Sequence, residues 1–544
     1  MIFTLSNGLL DIFLDEEMGV LRGTLILIVA GFTRLVGYVA QLVSFITHHP
    51  KRVERLPPIN DDILLCTAKE LAEKIRKRKV SSEAVIRAYI RRVKAVDPII
   101  NAVVEDRFEE ALEEAKAVDK LIASETFTEK ELQVRYPLLG LPLTVKESLA
   151  VKGCSNAAGQ TIPERPKATS DAVVVEKCRN AGAIPILVSN TPELCLNWET
   201  FNKVTGRSKN PYDTRRTCGG SSGGEAALIA SGASLIGLGS DICGSLRLPP
   251  LFCGIWGHKP SPHAISIDGH YPSCDDIGVW KRFFAVGPLT RYASDLPLMF
   301  RVLMNEEMND HLRFEEQINV SDLKVYFMLD DHGSILTNRV CRHTVGAVQK
   351  VVQFLGEKHL CRTEKAHVPK MRYSSELGYI TLLEIESVDH FFKENEKGAI
   401  LEFFLYFLCM SPYSFYSICY SVLRCVIKMI YTKGYKRDLE HLRHQLMTTL
   451  GDNGVLIYPC YTGTAHYHGG TLARLFDASY MTIFNALGFP ATSCTVGHIE
   501  EGIPIGVQVV AAPNNDKLTI AVAQAIEAHF GGWKPPPADV KNPV

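Results

Sequence analysis

Lys146, Ser221 and Ser245 have the types and surroundings that hydrolytic chemistry needs. Lys146 ends the apolar run Leu141-Pro142-Leu143-Thr144-Val145. Ser221 lies in Cys218-Gly219-Gly220-Ser221-Ser222-Gly223-Gly224-Glu225, and Ser245 closes Gly239-Ser240-Asp241-Ile242-Cys243-Gly244-Ser245. A serine hydroxyl attacks poorly until a base removes its proton. A lysine at its ordinary pKa of about 10.4 is protonated and cannot be that base. Among apolar neighbours its charged form is disfavoured, so its pKa falls and the neutral amine becomes available. One serine would then relay the proton of the other to Lys146, and return it to the nitrogen that leaves when an amide is cut. Ser221 and Ser222 each also satisfy GxSxG, which admits a nucleophile elbow with a downstream histidine such as His466, His468 or His498. No GxxxxGK run supports nucleotide binding. His466-x-His468 is too little for a metal site.

The elements that must position these residues alternate. Thr67-x-x-Glu70 is a capping box and predicts a helix running to about residue 79. Ser81 or Ser82 caps a second helix, predicted to stop before Pro98, with Val85, Ile86, Tyr89, Ile90 and Val93 on its inner face. A third helix is predicted over 107–122. Strand-like runs follow at 141–145, 183–188 and 505–510, the last leading into a helix at 517–529. The fold class read from this is α/β, a large mixed twisted sheet surrounded by helices. Residues 399–431 are dense in aromatic and aliphatic side chains, broken at Pro412. They fit either a core hairpin or an apolar cap facing lipid or an acyl channel.

The chain has 544 residues, 46% of them hydrophobic, and a formal charge of −1. That charge gives nucleic-acid binding no electrostatic support. The 15 cysteines show no CxxC pair, which argues against zinc and thioredoxin-like sites and for reduced, mostly buried thiols. Residues 25–46 are apolar enough to cross roughly 30 Å of hydrocarbon as a helix. Arg34 opposes this, since a central arginine costs ~2.5–3.5 kcal/mol on insertion scales. A signal peptide is disfavoured because Asp11, Asp15, Glu16 and Glu17 precede the run. The expectation is a membrane anchor separate from the globular fold over 1–50, a linker over 51–66 and a catalytic domain over 67–535. Lys51, Arg52 and Arg55 after the run place the bulk of the chain in the cytosol.

The motifs together resemble the amidase signature family. Beyond the two serine turns, the matching residues include Gly140 with the run into Lys146-Glu147, Ser189-Asn190-Thr191-Pro192-Glu193 and Asn210-Pro211-Tyr212-Asp213. Arg247-Leu248-Pro249, Gly257-His258-Lys259-Pro260, Asn485-Ala486-Leu487-Gly488-Phe489-Pro490-Ala491 and Gly502-Ile503-Pro504-Ile505-Gly506-Val507-Gln508 also match. The resemblance spans residues 67–533, and with the apolar N-terminus it is greatest to the membrane-bound fatty-acid amide hydrolases of type 2. It implies Ser245 as nucleophile, Ser221 as bridging serine after a cis peptide, and Lys146 as base. It also implies an oxyanion hole of the backbone N–H groups of Ile242, Cys243, Gly244 and Ser245, with Arg247 holding the loop. The implied reaction is hydrolysis of long-chain fatty-acid amides to fatty acid and amine, with no metal or organic cofactor. The implied partners are a lipid amide, a membrane such as the endoplasmic reticulum or a lipid surface, and a second copy as a homodimer. The family usually has glycine where this chain has Cys243. If that position needs positive φ, the side chain adds strain of about 1–2 kcal/mol. An amidase of small amides, a glutaminase-like amidotransferase subunit and an inactive lipid-binding homologue therefore stay open, as does the histidine-based hydrolase.

Overall fold

The computed structural model describes residues 20–538, except 163–164, 274–276, 386–395, 409, 416 and 419–433. Thirteen strands are present among the described residues: β1 (Val103–Asp106), β2 (Pro142–Lys146), β3 (Ile184–Ser189), β4 (Phe201–Asn202), β5 (Gly206–Arg207), β6 (Ile236–Asp241), β7 (Trp256–Lys259), β8 (Ala285–Thr290), β9 (Lys324–Phe327), β10 (Arg362–Lys365), β11 (Gly454–Tyr458), β12 (Ala491–His498) and β13 (Pro504–Ala511). Strands β4 and β5 form a small hairpin. The other eleven form one sheet in the order β1-β3-β2-β6-β8-β7-β12-β13-β11-β9-β10. Parallel pairs (β2 with β3 and β6, β9 with β10 and β11) and antiparallel pairs share it, so the sheet is mixed as expected.

The central strands read as continuous apolar runs because both faces of the sheet are covered. Every residue of β2, β3 and β6 is buried. Helix Gly223–Ala230 covers the sheet next to β2 and β6. It approaches closely because it begins with glycine: a Cβ on Gly224 would stand 2.5 Å from the Asn190 carbonyl oxygen. β2 and β6 run parallel in the register Val145↔Leu238. Lys146 therefore ends one strand beside the segment that leads to Ser245 at the end of the other. Carboxyl ends of adjacent parallel strands are where open α/β sheets place their ligands.

Helix boundaries follow local chemistry. Thr67 caps Ala68–Arg76, and its capping box is complete: the Glu70 N–H donates to the Thr67 hydroxyl at 3.1 Å, and the Thr67 N–H to the Glu70 carboxylate at 2.9 Å. Ser81 caps Ser82–Ile100. That helix does not stop before Pro98 but runs two residues past it, to Ile100. In the last turn the missing Pro98 N–H forfeits a single backbone bond. The Asp97 carboxylate compensates by accepting from Ala102 and Val103 at 2.7 and 2.9 Å, while Asn101 turns left-handed at φ 50°. The third predicted helix is Phe108–Ala123 and the last is Asp516–Phe530.

Two segments depart from the sequence reading. The first is the N-terminal helix Val20–His48, which lies against the body and not apart from it. Small residues one heptad apart (Ala30, Gly37, Ser44) are buried, and a Cβ on Gly37 would meet the Ala473 backbone at 3.1 Å. Small side chains permit such close approach. The Ser44 hydroxyl donates to the His468 carbonyl at 2.8 Å and the Arg34 guanidinium to the Ile335 carbonyl at 2.9 Å. The other faces stay open, with Ile28, Phe32, Leu35, Val39, Leu42 and Ile46 exposed. The second is the stretch after it: within 51–66, Leu56 is buried, and the Arg92 guanidinium donates to the carbonyls of Pro57 and Pro58 at 2.8 and 3.2 Å.

In the aromatic stretch a helix covers Glu396–Phe407, with Leu401, Phe404, Phe407, Leu408 and Met410 exposed. After Pro412 the chain returns, and the Ser414 N–H and Ser417 hydroxyl donate to the Glu193 carboxylate at 2.8 and 2.6 Å. The remainder, 419–433, lies outside the described residues. The described cysteines are free thiols, all buried except half-buried Cys341.

Candidate active site

Lys146, Ser221 and Ser245 meet in a row. The Lys146 amine, fully buried, stands 2.6 Å from the Ser221 hydroxyl, which stands 2.9 Å from that of Ser245. Each belongs to a different element: Lys146 is the last residue of β2, Ser221 precedes the helix at 223–230, and Ser245 lies in the turn after β6. The Gly220–Ser221 peptide is cis. Ser222 points elsewhere, its hydroxyl donating to the Ser240 carbonyl at 3.3 Å. Cys218 is buried, and burial pushes its thiol up to about 12, which leaves it protonated and inert.

Burial lowers the pKa of Lys146, because the ammonium has lost its water. Cys195, Asp241 and Glu225 oppose that shift. Burial raises Glu225 to about 7, against the hydrogen bond it accepts from the Thr144 hydroxyl at 2.6 Å. The amine also donates to the Ser240 hydroxyl at 2.9 Å, and Ser240 reaches His270 Nε2 at 3.0 Å. Neither Ser240 nor His270 stood out in the sequence: Ser240 reads as a spacer in its glycine-rich turn, and His270 reaches the site only through folding.

The turn that carries Ser245 is wrapped around a buried ion pair. Arg247 Nε and Nη2 donate to the two Asp241 oxygens at 3.0 and 3.1 Å, and both residues are fully buried. Arg247 further donates to the Met481 carbonyl at 2.9 Å and to the Asn485 side chain at 2.6 Å. It therefore holds the loop, as its motif implied. The same Asp241 accepts from the Gly244 N–H at 2.6 Å and the Leu246 N–H at 3.0 Å. This corrects one expectation: Gly244 N–H is already used and cannot serve an oxyanion. The N–H groups of Ile242, Cys243 and Ser245 have no acceptor among the described residues.

A second correction concerns Cys243. Its φ is not positive, so the cysteine adds no left-handed strain. The left-handed residue is Gly244, at φ 106°, where a Cβ would stand 2.4 Å from the Met481 sulfur. The Cys243 carbonyl accepts from the Trp198 indole at 3.0 Å, and burial pushes its thiol pKa up.

Two cavities open onto the row. One is lined by Leu194, Leu196, Ile242, Trp280 and Phe284 together with Ser221, Ser240 and His270. The other carries Ser245, Cys243, Trp198 and Leu382. Cys195, Leu196 and Ile242 border both. No histidine hydrogen-bonds Ser221 or Ser245 among the described residues. His468 is held by Glu199 at 2.8 Å and the Thr214 carbonyl at 3.1 Å, and His466 by the Tyr467 carbonyl at 3.2 Å. His498 packs on Tyr212. A histidine-based nucleophile elbow has no base here.

The amidase family profile matches residues 84–400. Human fatty-acid amide hydrolase 2 is 38% identical over 518 residues, covering 92% of this chain and 96% of that protein. Zebrafish (Danio rerio) fatty-acid amide hydrolase 2-B is 36% identical, covering 92% of this chain and 96% of its own. Among solved structures, a fatty acid amide hydrolase superposes with TM-score 0.67 at 22% identity, covering 87% of this chain and 86% of its own. A crystal structure of an amidase superposes with TM-score 0.70 at 25% identity, covering 86% and 100%. The sheet, the serine turns and these likenesses agree that the chain is an amide hydrolase and belongs to the amidase signature family.

Proposed function

We propose that the chain hydrolyses long-chain fatty-acid amides, with Ser245 as nucleophile, Ser221 as relay and Lys146 as base. The observation that carries this reading is the buried amine in hydrogen-bond reach of Ser221, itself in reach of Ser245. In the neutral form Lys146 accepts the Ser221 proton as Ser221 takes that of Ser245. The freed Ser245 oxygen bonds the amide carbon, and the carbonyl oxygen becomes an oxyanion facing the N–H groups of Ile242, Cys243 and Ser245. Loss of one such donor costs ~2.7–4 kcal/mol in comparable sites. The proton returns from Lys146 through Ser221 to the nitrogen, the C–N bond breaks and the amine departs. Water then attacks the acyl ester by the same route, releasing the fatty acid and restoring Ser245.

Support for an apolar acyl group comes from the cavity walls Leu194, Leu196, Ile242, Trp280 and Phe284. It also comes from the names of the relatives. Support for membrane attachment comes from the N-terminal helix, whose residues Ala30–His48 are long and apolar enough to cross a bilayer by length and composition. In this reading residues 1–50 attach the enzyme to an intracellular membrane, 51–66 join them to the body, and 67–535 form the catalytic domain facing the cytosol. The test is competition between oleamide and a short-chain amide such as butyramide. The expected result is a kcat/KM preference for the long chain, with turnover sharply lowered in Lys146→Ala. A general base contributes ~10²–10⁴-fold. Preference for the short chain would remove the lipid assignment, and undiminished turnover in Lys146→Ala would remove the base.

A further inference from the structure

We infer that His270, acting through Ser240, aims the lone pair of the Lys146 amine at Ser221. His270 is thus a positioning residue for the hydrolysis. The inference rests on the reading of Lys146 as base and assigns direction to its hydrogen bonds.

The argument is one of donors and acceptors. His270 Nδ1 lies 2.9 Å from the Pro272 carbonyl oxygen. A carbonyl only accepts, so Nδ1 carries the hydrogen. Burial and the Lys146 charge hold the His270 pKa down to about 3, so the ring is neutral near pH 7. A neutral ring protonated at Nδ1 has a bare Nε2, which must accept from the Ser240 hydroxyl 3.0 Å away. Ser240 has one hydrogen, and that hydrogen is now committed. Toward Lys146, 2.9 Å away, the Ser240 oxygen can only accept. One amine N–H is therefore spent on Ser240, and the amine lone pair is left for the neighbour at 2.6 Å, the Ser221 hydroxyl. Without His270 the Ser240 hydroxyl is free to rotate and donate to the same lone pair, in competition with Ser221. The bond from lysine to Ser240 keeps its sense whether the amine is neutral or charged, so nothing reorganises as the proton moves.

The fold holds the histidine in place from the chain leaving Lys146. The Ala150 N–H donates to the Gly269 carbonyl at 3.0 Å and the Tyr271 N–H to the Ser148 carbonyl at 2.7 Å. The Phe284 ring packs on the imidazole at 4.5 Å, itself stacked on Trp280 at 4.3 Å.

The test is a double-mutant cycle on oleamide hydrolysis with His270→Phe, Ser240→Ala and the pair. His270→Phe is expected to lower kcat about tenfold with KM nearly unchanged, as for an interaction expressed in the chemical step. In the Ser240→Ala background the same change is expected to cost nothing further, because its route is gone. Two amides guard against a folding defect. His270→Gln places a carbonyl acceptor near the Nε2 position and recovers most of kcat. His270→Asn reaches Pro272 but not Ser240 and follows His270→Phe. Equal loss with and without Ser240, equal loss in Gln and Asn, or a rise in KM alone overturns the inference. Lys146→Ala keeps the two readings apart. If its turnover is undiminished, the base assignment fails. If its turnover is sharply lowered while His270→Phe and His270→Asn keep full kcat, only the role of His270 fails.

Discussion

A fully buried lysine cannot keep its ordinary charge balance, and at Lys146 the dominant influence is loss of water, which lowers the pKa. With Lys146 as the proposed base, kcat/KM is expected to rise with pH through an ionisation that lies below 10.5. Glu225 is one of the charges that hold the proton on. Glu225→Gln is therefore expected to move that limb to lower pH, read from the pH–rate profile. A limb that moves upward or stays fixed contradicts the electrostatics described here. At this scale the row Lys146, Ser221, Ser245 was legible, because serines in glycine-rich turns and a lysine ending an apolar run are local signals. Cys243 misled, since sequence shows that a turn needs a left-handed residue but not which one: Gly244 takes it. His270 was invisible, as no spacing connects it to Lys146.

The turn after β6 owes its shape to Asp241 and Arg247, whose interaction is fully buried. Removing one partner of such a pair strands the other charge, at a cost of about 3–5 kcal/mol. Arg247→Met is expected to lower the thermal midpoint measured by calorimetry and to abolish turnover, since Ser245 is set by the same loop. An unchanged midpoint contradicts this. The Arg247 charge also holds the Asp241 carboxyl at about 2, below its ordinary 3.8, against a desolvation that pushes it up. A lowered folded-state pKa stabilises above the unfolded value, so this contribution is present above pH 3.8 and is lost as pH falls toward 2. Strands β2, β3 and β13 were legible to within a residue or two, because a doubly covered strand is a short apolar run between turns. The helix end at Pro98 was misjudged because Asp97 and Asn101 supply the caps that let the helix run two residues past the proline.

At the scale of the molecule, a seam of small residues joins the N-terminal helix to the body, and among its described residues Ile28, Phe32, Leu35, Val39, Leu42 and Ile46 are exposed. Replacing Leu35, Leu42 and Ile46 with glutamine is expected to shift the enzyme from the floating to the soluble fraction in liposome flotation, with oleamide turnover in detergent retained. Flotation equal to that of the parent contradicts membrane attachment through this helix. The mixed sheet was legible from alternating elements. The docking of the helix was not, because Ala30, Gly37 and Ser44 carry no hydrophobic signal and matter only for what they let approach. The proposed reaction turns on transfer of an acyl group to the Ser245 hydroxyl, and trapping that hydroxyl tests it most directly. After incubation with a fluorophosphonate, peptide mass spectrometry is expected to find the adduct on Ser245, absent in Ser245→Ala and slowed by roughly 10²-fold or more in Lys146→Ala. An adduct on Ser221 or Cys195, or labelling that survives in Ser245→Ala, would contradict it.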